Sequence, residues 1–509
     1  MLGETTHTSG TPVVRSRVAL GGSECLLVRR HDDGGTMLAI RGDASGFEAG
    51  GVAADGMTLC PTNAANAARL RDRLPWLRPV PLGLATSFGF GDRLGLATPG
   101  HVRAIRRVAG AENLIAPVFA QQSVRENSRT GRTPHQVLDD AMWGLLAEGW
   151  RAPWGADADH LKTAADIEPF AQTGYTLFTI DPGDHVDDTV DSASASAVEE
   201  KIGGLPWPVL ETTLGDLERR YLVGPIDLGG TRVMIGRDAL HRAAAKYGGA
   251  VAHTAVMYRR LSERLGERAF ELEVSVDETA TPTTVADHIV IAGELRRLGV
   301  RWVSLAPRLE GRFEKGVDYI GDLDRLAASL AGHAAVARTY GPYKLSLHSG
   351  SDKFSIYPII TGLTARASDL GPLLHVKTAG TSYLEALRTI ARVDPPLFRE
   401  VLAHARMRYE VDRATYHVSA ALDRVPPPEA IDDGDLADLL ERFDARQVLH
   451  VTFGSALDRF GERLRATLQR EQERYAEILE AHFERHLAPL MVRGGGRWTA
   501  PRPSTRTGG

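Results

Sequence analysis

Four histidines lie at or near the ends of apolar, strand-like stretches: His160 in "GADADH", His185 in "FTIDPGDH", His348 in "YKLSLHSGSDK" and His375 in "LLHVKTAG". Asp157, Asp159, Asp181 and Asp184 stand beside the first two. A single histidine is ordinarily a satisfied core or surface residue. Several imidazoles and carboxylates converging from separate strands are, by contrast, how a catalytic divalent-metal site with open positions is assembled. No HExxH or CxxC spacing fixes the ligands, so the signal is a constellation rather than a motif. In "FELEVSVDET" the residues Glu271, Glu273, Ser275 and Asp277 share one face of a strand, opposite Phe270, Leu272, Val274 and Val276. On an edge strand that face is simply solvated. Inside a closed sheet its carboxylates must be paired, protonated or bound to a cation, and Glu273 in mid-strand is the most constrained.

Other polar clusters carry less. "GFGDRLG" spaces its glycines wrongly for GxGxxG, and "GSDK" has no phosphate-loop frame, so neither a nucleotide nor NAD is expected. "HVKTAGTSYLEALRTIA" runs from a strand through Lys377, Thr378, Gly380 and Thr381 into a helix, whose free amides and neighbouring lysine suit a carboxylate or phosphate; an ordinary helix start fits it equally well. Arg125 and Lys353 are loop charges suited to a carboxylate, or solvated charges with no partner role.

The elements that must position these residues recur along the chain as one unit: an apolar helix, a glycine that ends it, a short strand, then a polar cluster. Helices end in this way at Gly149, Gly174, Gly299 and Gly341. Nine stretches read as strands, beginning near Pro81, Asn113, Trp150, Tyr175, Phe270, Val300, Tyr343, Leu373 and Arg446. Alternating strands and helices predict parallel βα units. About eight of them favour an α/β fold of the (β/α)8, TIM-type barrel class over an open doubly wound sheet. One of the nine is surplus. In either architecture ligands meet the C-terminal ends of the strands, where the polar clusters fall.

Three regions lie outside the repeat. Residues 1–75 contain a hairpin pattern in "ECLLVRRHDDGGTMLAIRG" and are expected to form a small N-terminal subdomain ahead of a barrel over 76–455. Residues 183–265 join two strands by a long βα insertion, either a lid or a peripheral helical piece. A long amphipathic C-terminal helix over 456–492 could support a homo-oligomer or pack on the barrel, and 493–509 reads as a disordered tail.

The 509 residues, 43% hydrophobic and 25% charged, can bury a sizeable core. With a net charge of -5 and no basic run, the chain offers nucleic acid no electrostatic footprint. No stretch of about 18 apolar residues indicates a membrane span, and no leader is evident, so the expected location is cytoplasmic. Cys25 and Cys60 are too few for a disulfide framework and read as buried thiols.

Several long motifs carry a resemblance: "TSFGFGDRLGLATPGH", "FAQQSVRENSRTGRT", "GADADH", "FTIDPGDH", "EVSVDETATPT", "LHSGSDKFSIYP" and "HVKTAGTSYLEA". Together they resemble the tagaturonate epimerase family from about Pro81 to the helix after His450. The resemblance implies a divalent-metal-dependent isomerase that interconverts tagaturonate and fructuronate, with tagatose and fructose as alternative substrates. A metal-dependent aldolase or an aldose-ketose isomerase on the same barrel is the rival reading. Carried to matching positions, the resemblance implies an acid/base pair at Asp159 and Glu273. It implies metal ligands at His160 and His348 with a third at His375, for which Asp277 and His185 compete. The metal would be Mn, Co, Ni or Zn. The candidate substrate-binding residues are Gln122, Ser123, Arg125, Asp277, Lys353, Lys377 and Thr381, with a sugar or sugar acid as the partner and no NAD.

Overall fold

The computed structural model describes residues 10–52, 56–109, 115–365 and 372–491. The expected disordered tail lies outside the described residues. Eight parallel strands close into a barrel: β1 (Ser87–Gly91), β2 (Ala116–Ser123), β3 (Gly155–Leu161), β4 (Leu177–Ile180), β5 (Glu271–Val276), β6 (Ser304–Pro307), β7 (Lys344–Leu347) and β8 (Leu374–Thr378). Each strand pairs with the next in the chain, and β8 closes on β1 through the His375/Ser87 register. This is the TIM-type architecture, and closure excludes the open sheet. The surplus ninth stretch, at Arg446, is a helix, Phe443–Val451. Its short apolar run is ambiguous in period, and burial of Val448, Leu449 and Val451 among other helices decides for the helix.

The faces of the strands are reversed from the usual aliphatic filling of such barrels. Outside, under the surrounding helices, lie Leu272, Val274, Val276, Leu345, Leu347, Leu374 and Val376, all buried. Inside, polar side chains meet across the lumen. Lys344 Nζ donates to Ser87 Oγ at 2.9 Å, and Lys377 Nζ reaches Asp159 Oδ1 and Thr179 Oγ1, each at 2.7 Å. Phe270 to Asp277 alternates as it does because one face must satisfy a charged lumen and the other a hydrophobic shell.

Ahead of the barrel, a five-stranded antiparallel sheet includes the expected hairpin, Ser23–Arg30 paired with Thr36–Arg41. Cys25 and Cys60 are free and buried in it, and burial pushes their thiols up to about 12 and about 11. The connection from β4 to β5 is mostly helical and ends in the 29-residue helix Arg237–Leu265, which packs beside Val285–Arg297 on the barrel's outside. After β8, the stretch read as one amphipathic helix is two, Phe453–Arg470 and Gln472–Leu487, broken at Glu471. The second docks on helix Thr98–Ala109, where Gly100 allows a close approach: a Cβ there would sit 2.5 Å from Leu479 Cβ. No helix among the described residues is long and apolar enough to cross a membrane.

Candidate active site

At the C-terminal ends of the strands a cleft is lined by residues of β2, β3 and β8, of the segments that follow β1, β2, β6, β7 and β8, and by Tyr416 and His450 from beyond the barrel. The end of β3 supplies two consecutive residues, Asp159 and His160. Neighbours in a strand point to opposite faces, so a regular β3 could present only one of them. His160 escapes the alternation with a left-handed φ of 52°, and the β3/β4 register shifts between Ala158 and Leu161. Such a conformation in a non-glycine residue costs on the order of 1 kcal/mol and persists only where its surroundings enforce it. Here the enforcing contact is Asp181 at the end of β4, whose Oδ2 accepts from His160 Nδ1 at 3.0 Å. That bond holds the ring and leaves Nε2 as a lone-pair donor.

His348, just beyond β7, stands between two carboxylates. Its Nε2 is 3.4 Å from Asp159 Oδ1 and its Nδ1 is 3.3 Å from Glu273 Oε1. Neither nitrogen has an aligned hydrogen-bond partner, although the side chain is buried. The rings of His160 and His348 meet edge to face at 4.3 Å. Beneath them the Lys377 ammonium lies 2.7 Å from Asp157, 2.7 Å from Asp159 and 2.9 Å from Glu273.

Burial disfavours charge on every one of these groups, and the pairings decide which keep it. Burial would discharge Lys377, but Asp157, Asp159 and Glu273 hold its pKa well above the ordinary value. The lysine in turn holds Asp159 and Glu273 well below theirs, against burial. Burial pushes Asp157 up to about 6, with Lys377 opposing. Burial opposes charge on His348 too, yet Asp277 and Asp159 raise it.

Asp159, His160 and His348 present ligand atoms that all lie within 4.8 Å of one another. The donor set, an imidazole with two unpartnered buried nitrogens beside a second imidazole oriented through its far nitrogen, fits a divalent cation. So does the charge: once His348 gives up its proton to act as a ligand, three buried carboxylates face one ammonium, and a dication would balance the remainder. A second group, Asp352, His482 and His486, is equally compact but already satisfied. Asp352 N–H donates to His486 Nε2, His482 Nε2 bonds Asp352 Oδ1, and Arg446 lies 2.9 Å from Oδ2. This group fastens the loop after β7 to helix Gln472–Leu487.

Several residues singled out in the sequence stand elsewhere. His375, taken as the third ligand, is outside the compact group and does not line the cleft. It lies two residues before Lys377 on β8, about 6.6 Å lower in the lumen, and bonds Ser87 Oγ at 2.8 Å; Lys377 occupies the upper level instead. Gln122 faces away, bonded to Thr130 and Arg132, while Gln121 and Ser123 line the cleft, as strand alternation requires. Lys353 is at the cleft wall, but its ammonium is spent on the carbonyls of Glu314, Val317 and Ser351, and burial pushes it down to about 7. Thr381 bonds Asp352 at 3.3 Å, away from the cleft. Asp277 accepts from Ser275 Oγ at 2.5 Å and acts on His348 only through its charge. His185 is exposed and stacked on His253. Arg125 is at the rim, 44% exposed and 3.7 Å from Glu278. Glu273 is fully buried behind His348 and Lys377, where Ser304 Oγ donates to it at 2.5 Å.

The structure adds Arg93, Gln121, Glu126, Glu314, Lys315, Tyr416 and His450 to the lining. Gln121 was one position from legible, through strand alternation. Tyr416 and His450 come from beyond the barrel, and nothing in their local sequence marks them.

The model of the tagaturonate epimerase family matches residues 24–490. A tagaturonate/fructuronate epimerase of Thermotoga maritima is 44% identical over 431 residues, which is 84% of this chain and 85% of that one. The native crystal structure of fructuronate-tagaturonate epimerase from Cohnella laeviribosi superposes with a TM-score of 0.87 at 34% identity, covering 96% of this chain and 97% of that one. A glycerol complex of the same protein matches equally well, at TM-score 0.87 and 34% identity over 94% and 96% of the two chains.

Proposed function

The chain belongs to the tagaturonate epimerase family, and on that premise we propose that it interconverts D-tagaturonate and D-fructuronate, and also D-tagatose and D-fructose, with a divalent cation held by His160 and His348 beside Asp159. The observation that carries this reading is the placement of Asp159 at the cleft floor, among two imidazoles and 2.7 Å from the Lys377 ammonium. The cation, when bound, would act as a Lewis acid that polarises the ketone and stabilises negative charge developing beside it.

The chain's own groups manage the protons. Asp159 lines the cleft and takes the proton of the hydroxyl on the carbon to be inverted. Lys377 also lines the cleft, 2.7 Å from Asp159, and returns a proton to the re-formed hydroxyl oxygen, to be recharged from Asp159. Glu273 works from behind: it faces His348 Nδ1, turning Nε2 toward the cleft, and keeps Lys377 charged. Gln121 and Ser123 are placed to bind hydroxyls. As an enzyme of sugar-acid catabolism it would work in the cytoplasm.

The test is turnover of D-tagaturonate and D-tagatose by chelator-treated protein re-supplied separately with Mn, Co, Ni or Zn. Activity should vanish on chelation and return with one or more of the ions. Undiminished turnover by metal-free protein would sink the metal reading, and no turnover of tagaturonate with any ion would sink the substrate.

A further inference from the structure

The two basic residues expected from sequence to receive the uronate's carboxylate are poorly placed for it. Arg125 is half out in solvent beside Glu278, and Lys353 has three backbone carbonyls on its ammonium. Another part of the same cleft has unspent donors. Arg93, in the loop after β1, is 4% exposed, with its guanidinium 3.6 Å above the Phe453 ring. Its Nε donates to Glu126 Oε1 at 2.9 Å and its Nη2 lies 2.8 Å from the same oxygen, while its Nη1 is buried with no partner. His450, three residues before Phe453, is fully buried and its Nδ1 also lacks a partner. Lys315, half-buried, donates among the described residues only to Ser349 Oγ, at 3.1 Å. Its neighbour Gly316 packs against His450, where a Cβ would lie 3.5 Å from the ring, and the charges of Arg93 and Lys315 both reach that imidazole.

We propose that Arg93, Lys315 and His450 form the seat of the substrate's carboxylate, and so set the preference for a hexuronate over a neutral ketose; the inference rests on the function proposed above. Leaving a buried donor unsatisfied is costly, and Arg93 Nη1, a donor in every protonation state, together with the unpartnered His450 Nδ1 in the same lining, calls for a polar partner from the ligand. Glu126 offsets Arg93, and Glu314 of the same lining is engaged by Arg312, Ser419 and Gln447, so Lys315 is left without an ion partner among the described residues; a carboxylate supplies both the acceptor oxygens and the countercharge. A sugar hydroxyl supplies only the first. The seat also explains why residues from the C-terminal helices enter a barrel's active site: His450 and the Phe453 ring that fixes Arg93 both come from there.

The test uses the full-length, metal-loaded protein and two probes, D-tagaturonate and its neutral amide, with binding read by calorimetry and turnover read separately. The wild type should bind the acid about 30-fold or more tightly than the amide, the scale of hydrogen bonds to a charged group. Arg93→Gln and Lys315→Gln should each remove most of that difference by weakening the acid alone. Lys315→Gln breaks a single hydrogen bond within the chain and guards against misfolding of the Arg93 variant. Equal binding of acid and amide by the wild type, or variants that weaken both alike or neither, would overturn the seat. Failure of the wild type to convert tagaturonate that it binds would instead overturn the function while leaving the seat standing.

Discussion

His348 Nε2 lies 3.4 Å from Asp159 Oδ1, and both residues come to the cleft from different strand ends, yet neither nitrogen of the buried histidine has an aligned hydrogen-bond partner among the described residues. An imidazole kept this way costs stability unless something else engages it. His348→Ala should therefore lose most of the bound divalent metal and the activity together. Elemental analysis of the variant checks this, and full occupancy would refute the ligand role.

Glu273 touches Ser304, His348 and Lys377 but not the cleft itself. Glu273→Gln should retain most of the metal while turnover falls by about 10²-fold, the scale of lost proton-transfer support. Metal lost in step with activity would make Glu273 a ligand instead of a support.

Gly89 on β1 leaves room for the cleft residue Gln121: a Cβ there would lie 1.6 Å from Gln121 Oε1. Gly89→Ala should displace that side chain and raise KM by several-fold with little change in Tm, since the neighbour is the far end of a flexible amide. An unchanged KM would show that Gln121 has no part in binding.

Much of this was legible in the sequence. Closure of the barrel follows from the βα repeat. Asp159, His160, His348 and Lys377 come together because strand ends in such a barrel meet at one face. The failures are equally physical. Gln122 stands one position and His375 one lumen level away from the cleft, which residue types alone do not fix; the β2/β3 and β7/β8 registers do. Lys353 looked available because a sequence does not show backbone carbonyls folding onto an ammonium. His450 sits in a helix that reads as a strand, and its approach to the cleft depends on packing far along the chain.

Acid should destabilise the protein through histidines remote from the catalytic centre. Burial lowers His101 and His333 to about 4 from the ordinary 6.5. A group with a depressed folded-state pKa binds its proton more readily when unfolded, so stability is complete above pH 6.5 and falls progressively as pH drops from 6.5 to 4. Each such histidine would cost on the order of 1 to 2 kcal/mol by pH 5. The Tm should thus drop between pH 7 and pH 5, and His101→Gln should flatten the slope. A pH-independent Tm across that interval would show that these imidazoles are not held neutral.

D-tagaturonate and D-fructuronate differ at a carbon two bonds from the ketone, so removing its hydrogen as a proton would leave a carbanion with no adjacent carbonyl to share the charge. Cleavage of the bond between that carbon and its neighbour avoids this. The neighbour, next to the ketone, becomes part of an enediolate, and the carbon to be inverted becomes an aldehyde. Turning the aldehyde and re-forming the bond inverts the centre, with the hydroxyl proton leaving to Asp159 and a proton returning from Lys377, so that no hydrogen on carbon is exchanged there. No external oxidant or hydride carrier enters the balance. Epimerisation in deuterium oxide should accordingly leave the hydrogen on the inverted carbon in place, and small amounts of three-carbon fragments should be trappable with a carbonyl reagent. Stoichiometric deuterium at that carbon in early product, read by NMR, would contradict cleavage and assign Asp159 and Lys377 to deprotonation and reprotonation of carbon itself.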